Sequence, residues 1–471
     1  MSPLALRSRP RAGARAGLAG LLALGSAACA TYEPAPLAPL DLLRRLNAAG
    51  LPDLPADVAP VGSRAPFDPT DGLSVAEAAG VALRLHPGLR VARAEVGVAR
   101  ALLVEAGLLP DPVVGWDAMN VVADFVADRK SGANSYVAGA SLVWEVPRPG
   151  EVDAREGVAR GRVGEGRAGL LRAEWELVRE VHLAYVRLAF VGASLELNAA
   201  QLAIAERTCD HVQRARAAGV ATALQVELAS VARDRVRADR ARLALEGATA
   251  RQDALALLGL PPDAPVRLEA SPALLAGPAP EALEDAGALT EAAVARRPDL
   301  AELAARYAQA EETLRLEVAR QWPQVWVGTG VSVSLPVFSR FNAPTIETAR
   351  RARDAGRARF VAGLHEVRRQ VHLARAAVAG AAAWVAEITG RVVPGLDATL
   401  RLTEASLEAG EITPLELLTA QTQVLETQQE FLEARRRLAE ARLELEAAAG
   451  RLLPLEDEVR RARAADEEDA E

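Results

Sequence analysis

After Pro-Arg-Pro-Gly at 147–150 the chain carries a helical pattern for some 65 residues, as far as the stretch AGVATAL at 218–224. At a rise of 1.5 Å per residue such a helix is about 100 Å long. It far exceeds the helices of ordinary globular domains, so it needs an equally long partner beside it. A second helical run returns from Thr222 to about Leu258 and ends at LGLPP. Gly219 suits the left-handed residue that closes a helix, and Thr222 suits the cap of the next. The quoted stretch therefore predicts a tight hairpin at the far end of an antiparallel pair.

The same turn occurs again. AGEITPL at 409–415 repeats Ala-Gly-x-x-Thr-x-Leu 191 positions later, with Gly410 and Thr413 in the places of Gly219 and Thr222. Pro414 there takes the first helical position. Other landmarks recur in order. HPGLRVARAEV (86–96) returns as RPDLAELAARY (297–307), and Pro110, which closes a helix ahead of a strand, is matched by Pro323. The repeating unit is helix, strand region, very long helix, turn, long helix, and it occurs twice. One helix is expected over 73–107, another from about Pro344 to the second turn, and a last one from Pro414 to about Gly450. Leu415, Leu418, Thr422, Leu425 and Leu432 fall at alternating three- and four-residue spacing, which predicts a coiled-coil seam.

The strand regions are short and lie at one end of each unit. In the first repeat, 113–122 and 136–146 have strand character, separated by a polar loop rich in turn formers. Tyr136, Ala138, Ala140, Leu142, Trp144 and Val146 share one face, and Val137, Gly139, Ser141, Val143 and Glu145 the other. One face is large and apolar and the other mostly small or polar, over a length that suits one crossing of a membrane barrel. In the second repeat Val327, Thr329, Val331, Val333 and Leu335 share a face across 326–336. Only about twelve residues lie between Pro323 and Pro336. A single crossing would strand the next helix on the wrong side of a membrane. A hairpin bent at Gly328-Thr329-Gly330 has arms shorter than the roughly ten residues that a crossing needs.

Composition narrows the class. Half of the 471 residues are hydrophobic but 4% are aromatic, and 25% are charged, a balance that favours long helices over a compact mixed core. The formal net charge is −8, and no basic stripe of the kind that binds nucleic acid is present. The first 28 residues read as a signal peptide, with Arg7, Arg9, Arg11 and Arg15 ahead of a short apolar run. Ser26-Ala27-Ala28 before Cys29 looks like a lipoprotein cleavage site, although Ser26 stands where such sites usually carry Leu. Either Cys29 becomes the lipidated first residue, or cleavage is ordinary and Cys29 incidental. Cys209 is the other cysteine of the chain, so no disulfide framework is expected. Residues 30–72 are Pro-rich and read as an irregular tether.

Enzymatic readings find no support. His86, His182, His211, His365 and His372 lie on different elements, and the seven-residue spacing of His365 and His372 is not the i, i+4 spacing of a zinc site. No phosphate loop or nucleophile elbow is present, and no cofactor or metal is expected.

The order of these features resembles the TolC-like outer-membrane efflux proteins, nearest the group that includes heavy-metal efflux channels. The resemblance is carried over about 73–450 by LSVAEAAGVALRLHPGL, the two Ala-Gly-x-x-Thr-x-Leu turns, LGLPP, LPVFSRFNAPTIETARRAR, and CATYEP after the signal. It implies a mainly α fold. Very long antiparallel coiled-coil helices form an α-barrel with a small membrane β-barrel portion, in two internal repeats and as a trimer. It divides the chain into a signal peptide (1–28), a lipidated tether (29–72), a first repeat (73–260), a linker (261–287), a second repeat (288–452) and a charged tail (453–471). It implies a passive channel in the bacterial outer membrane that extends into the periplasm and is anchored at Cys29. The implied partners are two further copies, outer-membrane lipid, a periplasmic adaptor and an inner-membrane pump. Gly219, Thr222, Leu224, Gly410, Thr413 and Leu415 would then dock the adaptor. Tyr136, Leu142, Trp144, Val327, Val331, Val333 and Leu335 would face the membrane. The short second strand region leaves a different function open: a lipid-anchored periplasmic coiled-coil scaffold without a pore.

Overall fold

The computed structural model describes residues 32–48, 72–116, 140–276, 283–328, 330–408, 412 and 414–453. The chain divides into two units, 1–49 and 50–471. The first contains helix α1 (Pro39–Ala48) within the segment expected to be irregular. Leu42, Leu43 and Leu46 are exposed along it.

In the second unit, the helix expected over 73–107 is two helices, α2 (Val75–Leu85) and α3 (Pro87–Ala106). Ser74 caps α2 in a reciprocal box with Glu77. The break falls at His86, at φ −55 and ψ 125, because the ring of Pro87 disfavours helical backbone in the residue before it. The second repeat breaks identically. Arg297, at φ −74 and ψ 124, separates α6 (Ala286–Arg296) from α7 (Pro298–Ala319).

Strands β1 (Val113–Trp116) and β2 (Ala140–Val146) follow α3. Then come the 67-residue α4 (Glu151–Ala217) and its return helix α5 (Ala223–Leu258). After α7 the order recurs: β3 (Gln324–Gly328), β4 (Val331–Ser334) and α8 (Ala343–Glu387). A π turn at Ile388–Val392 leads into α9 (Val393–Glu408), and α10 (Pro414–Ala448) returns. The π turn has a local cause. Pro394 has no N–H for the carbonyl of Gly390, and the ladder widens by one residue just ahead of it.

The larger cores gather midway along α4, and a small one of Cys209, Val212 and Ala229 lies near its far end. Leu73, Val81, Leu89, Val178, Val181, Tyr185, Leu255 and Leu258 form one, and Leu289, Leu300, Val367, Val371 and Ala449 form another. Part of the segment expected as a linker belongs to the first core. Ala264 and Val266 are buried there, and Leu268 bridges to Leu73 in parallel. Tyr185 donates its hydroxyl hydrogen to the carbonyl of Leu73 at 2.9 Å. Buried Arg297 joins the repeats. Its guanidinium lies 5.3 Å from the Trp175 ring, and it pairs with Asp299 at 2.7 Å and donates to Gln370 at 2.7 Å.

The expected α10 seam is displaced. Leu417, Gln421, Val424, Thr427, Ala434 and Leu438 are buried along it, while Thr422 is exposed, Leu425 and Leu432 are half-buried, and the side chains of Leu415 and Leu418 lie outside the described ones. The sequence seam followed leucines. The observed one uses polar Gln421 and Thr427, and Gln421 faces Thr208 of α4 across a 3.2 Å hydrogen bond.

Candidate functional site

At one end of the long hairpin lies the turn 218–222. Gly219 has φ +78. Its N–H donates to the carbonyl of Arg216, and that of Val220 donates to the carbonyl of Ala215, each at 2.9 Å. This Schellman closure satisfies the last carbonyls of α4. Thr222 then caps α5. Its hydroxyl oxygen accepts from the Gln225 N–H at 3.3 Å, and its own N–H donates to Gln225 Oε1 at 2.7 Å. Behind these hydrogen bonds Ala221 and Val226 pack on Cys209, Val212 and Ala229, while Val220 and Leu224 are left 81% and 66% exposed. From the core residue Tyr185, about 50 Å of α4 separates this tip from the main packing. In the second repeat, α10 begins at Pro414. Leu415 lies on it, and Gly410 and Thr413 lie outside the described residues.

At the other end the four strands form one antiparallel sheet in the order β1-β2-β3-β4. The second strand region is thus a hairpin and not a single strand, and it bends at 328–330, with Thr329 outside the described residues. Leu335, expected on the strand face, lies beyond the end of β4. The registers Val114↔Leu142, Trp144↔Val327, Val327↔Val331 and Val325↔Val333 fix the faces, since directly opposed residues point the same way. One face collects Val114, Leu142, Trp144, Val146, Val325, Val327, Val331 and Val333. The other carries Ser141, Glu145, Gln324, Ser332 and Ser334 with Val113, Val143 and Trp326. Val114, Val331 and Val333 are more than half exposed. Tyr136 and Cys29 lie outside the described residues.

Two side-chain hydrogen bonds fasten the base of the sheet. Trp144 Nε1 donates to the carbonyl of Pro110 at 2.9 Å, and Gln324 Nε2 donates to that of Val146 at 2.8 Å. Gly328 joins the repeats at close quarters, because a Cβ there would stand 1.6 Å from the carbonyl oxygen of Leu142.

Between the ends, no group of three His, Cys, Asp or Glu side chains is placed to hold a metal ion among the described residues. His365 and His372 are both exposed on α8. A cleft of about 450 Å³ lies between the two long hairpins, lined by Glu246, Trp384, Glu426, Glu430 and Glu433 among others. The stretch between β4 and α8 entered the sequence reading only as a carrier of resemblance. Its exposed Phe338 and Phe341 have no periodicity to mark them.

The arrangement, a small amphipathic sheet joined to an antiparallel hairpin about 100 Å long, has known counterparts. The profile of the family described as Outer membrane efflux protein matches residues 79–260. Over these residues the chain is similar to the outer membrane efflux proteins. The matched segment runs from within α2 through α5 to Leu260. Solved structures extend the likeness in fold to nearly the whole chain. The outer-membrane channel OprN is 19% identical, with a TM-score of 0.66, over 85% of this chain and 98% of that one. The outer membrane protein VceC of Vibrio cholerae is 17% identical, with a TM-score of 0.65, over 80% and 96%. CusC, whose structures describe transmembrane channel formation, is 17% identical, with a TM-score of 0.65, over 83% and 96%. No curated protein matches the chain.

Proposed function

We propose that three copies of this chain form a passive conduit through the outer membrane, fed from the periplasmic side by an adaptor and an inner-membrane pump. The amphipathic sheet carries this reading. A face of Val114, Leu142, Val327, Val331 and Val333 opposite one with Ser141, Glu145, Ser332 and Ser334 is the pattern of a barrel wall between lipid and water. Among the described residues the sheet has four short strands with nothing paired beyond β1 and β4, and such a sheet is incomplete by itself in lipid, where every backbone group needs a partner. Further copies supply the missing edges. The apolar faces left open on the helices favour the same assembly. Val91, Val98 and Leu102 lie along one side of α3 and are all exposed. The capped tip, with Val220 and Leu224 outward, is the natural docking point for an adaptor at the opposite end. Gly410, Thr413 and Leu415 occupy the matching positions of the second repeat. Lipidation at Cys29 would tether the N-terminus to the same membrane. The cargo class is metal ions or small toxic compounds, on the resemblance to heavy-metal efflux channels.

One observation favours a second reading, a lipid-anchored periplasmic scaffold without an open pore. Strands β3 and β4 have five and four residues, or about 17 Å at most, whereas a tilted crossing needs roughly 9–11 residues. Single-particle imaging of the protein purified from membranes in detergent separates the two. A threefold tube closed by a barrel at one end supports the conduit. A tube without a barrel, or a rod of one chain, supports the scaffold and overturns the conduit.

A further inference from the structure

Beyond Ser334 the chain takes eight residues, Leu335 to Asn342, to turn from the sheet into α8. Four of them are large and apolar, and all four are exposed: Leu335 63%, Val337 56%, Phe341 55% and Phe338 fully. Three successive residues without a glycine, Arg340, Phe341 and Asn342, hold φ of +51, +52 and +61. Left-handed backbone is costly for any residue with a Cβ, and a run of three persists only where the surroundings fix it. Here they do. The Phe341 N–H donates to the carbonyl of Pro336 at 2.9 Å, and the Arg340 N–H to that of Val337 at 3.0 Å. Asn342 Nδ2 donates to both the carbonyl and the carboxylate of Glu317 at 2.8 Å, which binds the loop to the end of α7. The result is a preformed knuckle whose backbone is satisfied and whose phenyl rings point away from the protein.

The knuckle lies at a defined level. Gln324 pairs with Ser334 at the base of the β3–β4 hairpin, so Trp322, 54% exposed, and the knuckle leave the sheet at the same end, where strands give way to long helices. Aromatic side chains at the foot of an apolar strand face occupy the level of lipid headgroups. Arg340 stands between the two phenylalanines, exposed and suited to a lipid phosphate.

We propose that residues 335–342 form an interfacial anchor, in which Phe338 and Phe341 enter the phospholipid surface facing the long helices and Arg340 meets its phosphates. The anchor rests on the reading of the sheet as a membrane element. It supplies what a five-residue strand lacks, a fixed depth. With the base of the hairpin held at the headgroups, β3 and β4 reach into the near half of the bilayer.

Photocrosslinking in intact cells tests the anchor. The full chain is made with p-benzoylphenylalanine at Phe338, at Val331 on the apolar sheet face, or at Val231, which is exposed on α5 near the tip. After illumination, adducts are identified by mass spectrometry. The anchor predicts phospholipid adducts at 338 and 331, each at least several-fold above the yield at 231. Adducts at 331 without adducts at 338 would overturn the anchor and leave the membrane reading standing. A crosslink from 338 to a second copy, with lipid adducts at 331, would also overturn it and assign the knuckle to the contact between protomers. Absence of lipid adducts at both positions would remove the membrane reading and the anchor together.

Discussion

Single residues decide whether the two repeats stay joined. Gly328 faces Val143 across the β2–β3 register, and the atom a side chain would strike is a backbone oxygen, which no rotamer change can move. Gly328→Val is expected to cost at least the ~1–3 kcal/mol of an overpacked site. Amide exchange should accelerate over 143–146 and 324–327 while α4 and α5 keep their protection. His182 gives the second test at this scale. It lies half-buried on α4, with Nδ1 donating to the carbonyl of Val178 at 2.8 Å. Burial pulls its pKa below the usual histidine value, and the backbone hydrogen bond opposes this only in part. The unfolded chain therefore takes up the proton first as pH falls. Stability is complete above the ordinary value of about 6.5 and declines below it towards the folded value. Melting temperatures of the wild type between pH 7.5 and 5 should show this slope, and His182→Phe should lessen it. An unchanged slope would place the sensitivity in other groups.

Elements show where the sequence was legible and where it was not. The far turn of the first hairpin was readable, because Gly219 and Thr222 act through backbone chemistry within a few residues. The break at His86 was missed although Pro87 stood beside it, since the apolar period runs on through the proline. The α10 seam was misplaced for a tertiary reason: Gln421 is buried because Thr208 is there to meet it, and nothing near Gln421 in the chain reports that. This pair makes a test of the packing between hairpins. Gln421→Leu alone leaves the buried Thr208 hydroxyl without its partner and should cost about 1–3 kcal/mol. Thr208→Val added to it should recover part of that loss, so the cycle should be non-additive. Simple additivity would mean that the hydrogen bond does not join the hairpins. At the tip, Thr222→Ala removes one cap, at a cost of about 1 kcal/mol, and efflux should survive. Gly219→Asp with Gly410→Asp places a charge in each turn. If the tips dock an adaptor, this double variant should assemble normally yet fail to confer efflux, measured as resistance of cells to an exported compound. Full resistance would return both glycines to a purely structural role.

At the scale of the whole molecule, the second unit exposes apolar surface that its cores do not cover. Its larger cores lie midway along α4, and the helices run on from there with apolar faces uncovered. Val91, Val98 and Leu102 of α3 follow one another at spacings of seven and four, 59%, 61% and 38% exposed, while Leu89 and Val96 of the same helix are buried. Helix α3 is therefore apolar on two sides, one already packed and one open. A contiguous open stripe on a long helix marks an interface, and a sheet with unpaired edges makes the same demand from the other end of the unit. If neighbouring copies cover the stripe, Val98→Glu with Leu102→Glu puts two carboxylates on each chain into that contact, and an unpaired buried charge is strongly disfavoured. Light scattering in detergent should then report a protein mass near 49.7 kDa in place of about three times that value for the wild type. Circular dichroism should show helical content unchanged, because the substituted positions lie outside both cores. A variant that keeps the mass of the wild-type assembly would show that the α3 stripe faces something other than a second copy, and that the contact between protomers runs along α8, where Leu373 and Trp384 lie eleven residues apart and exposed.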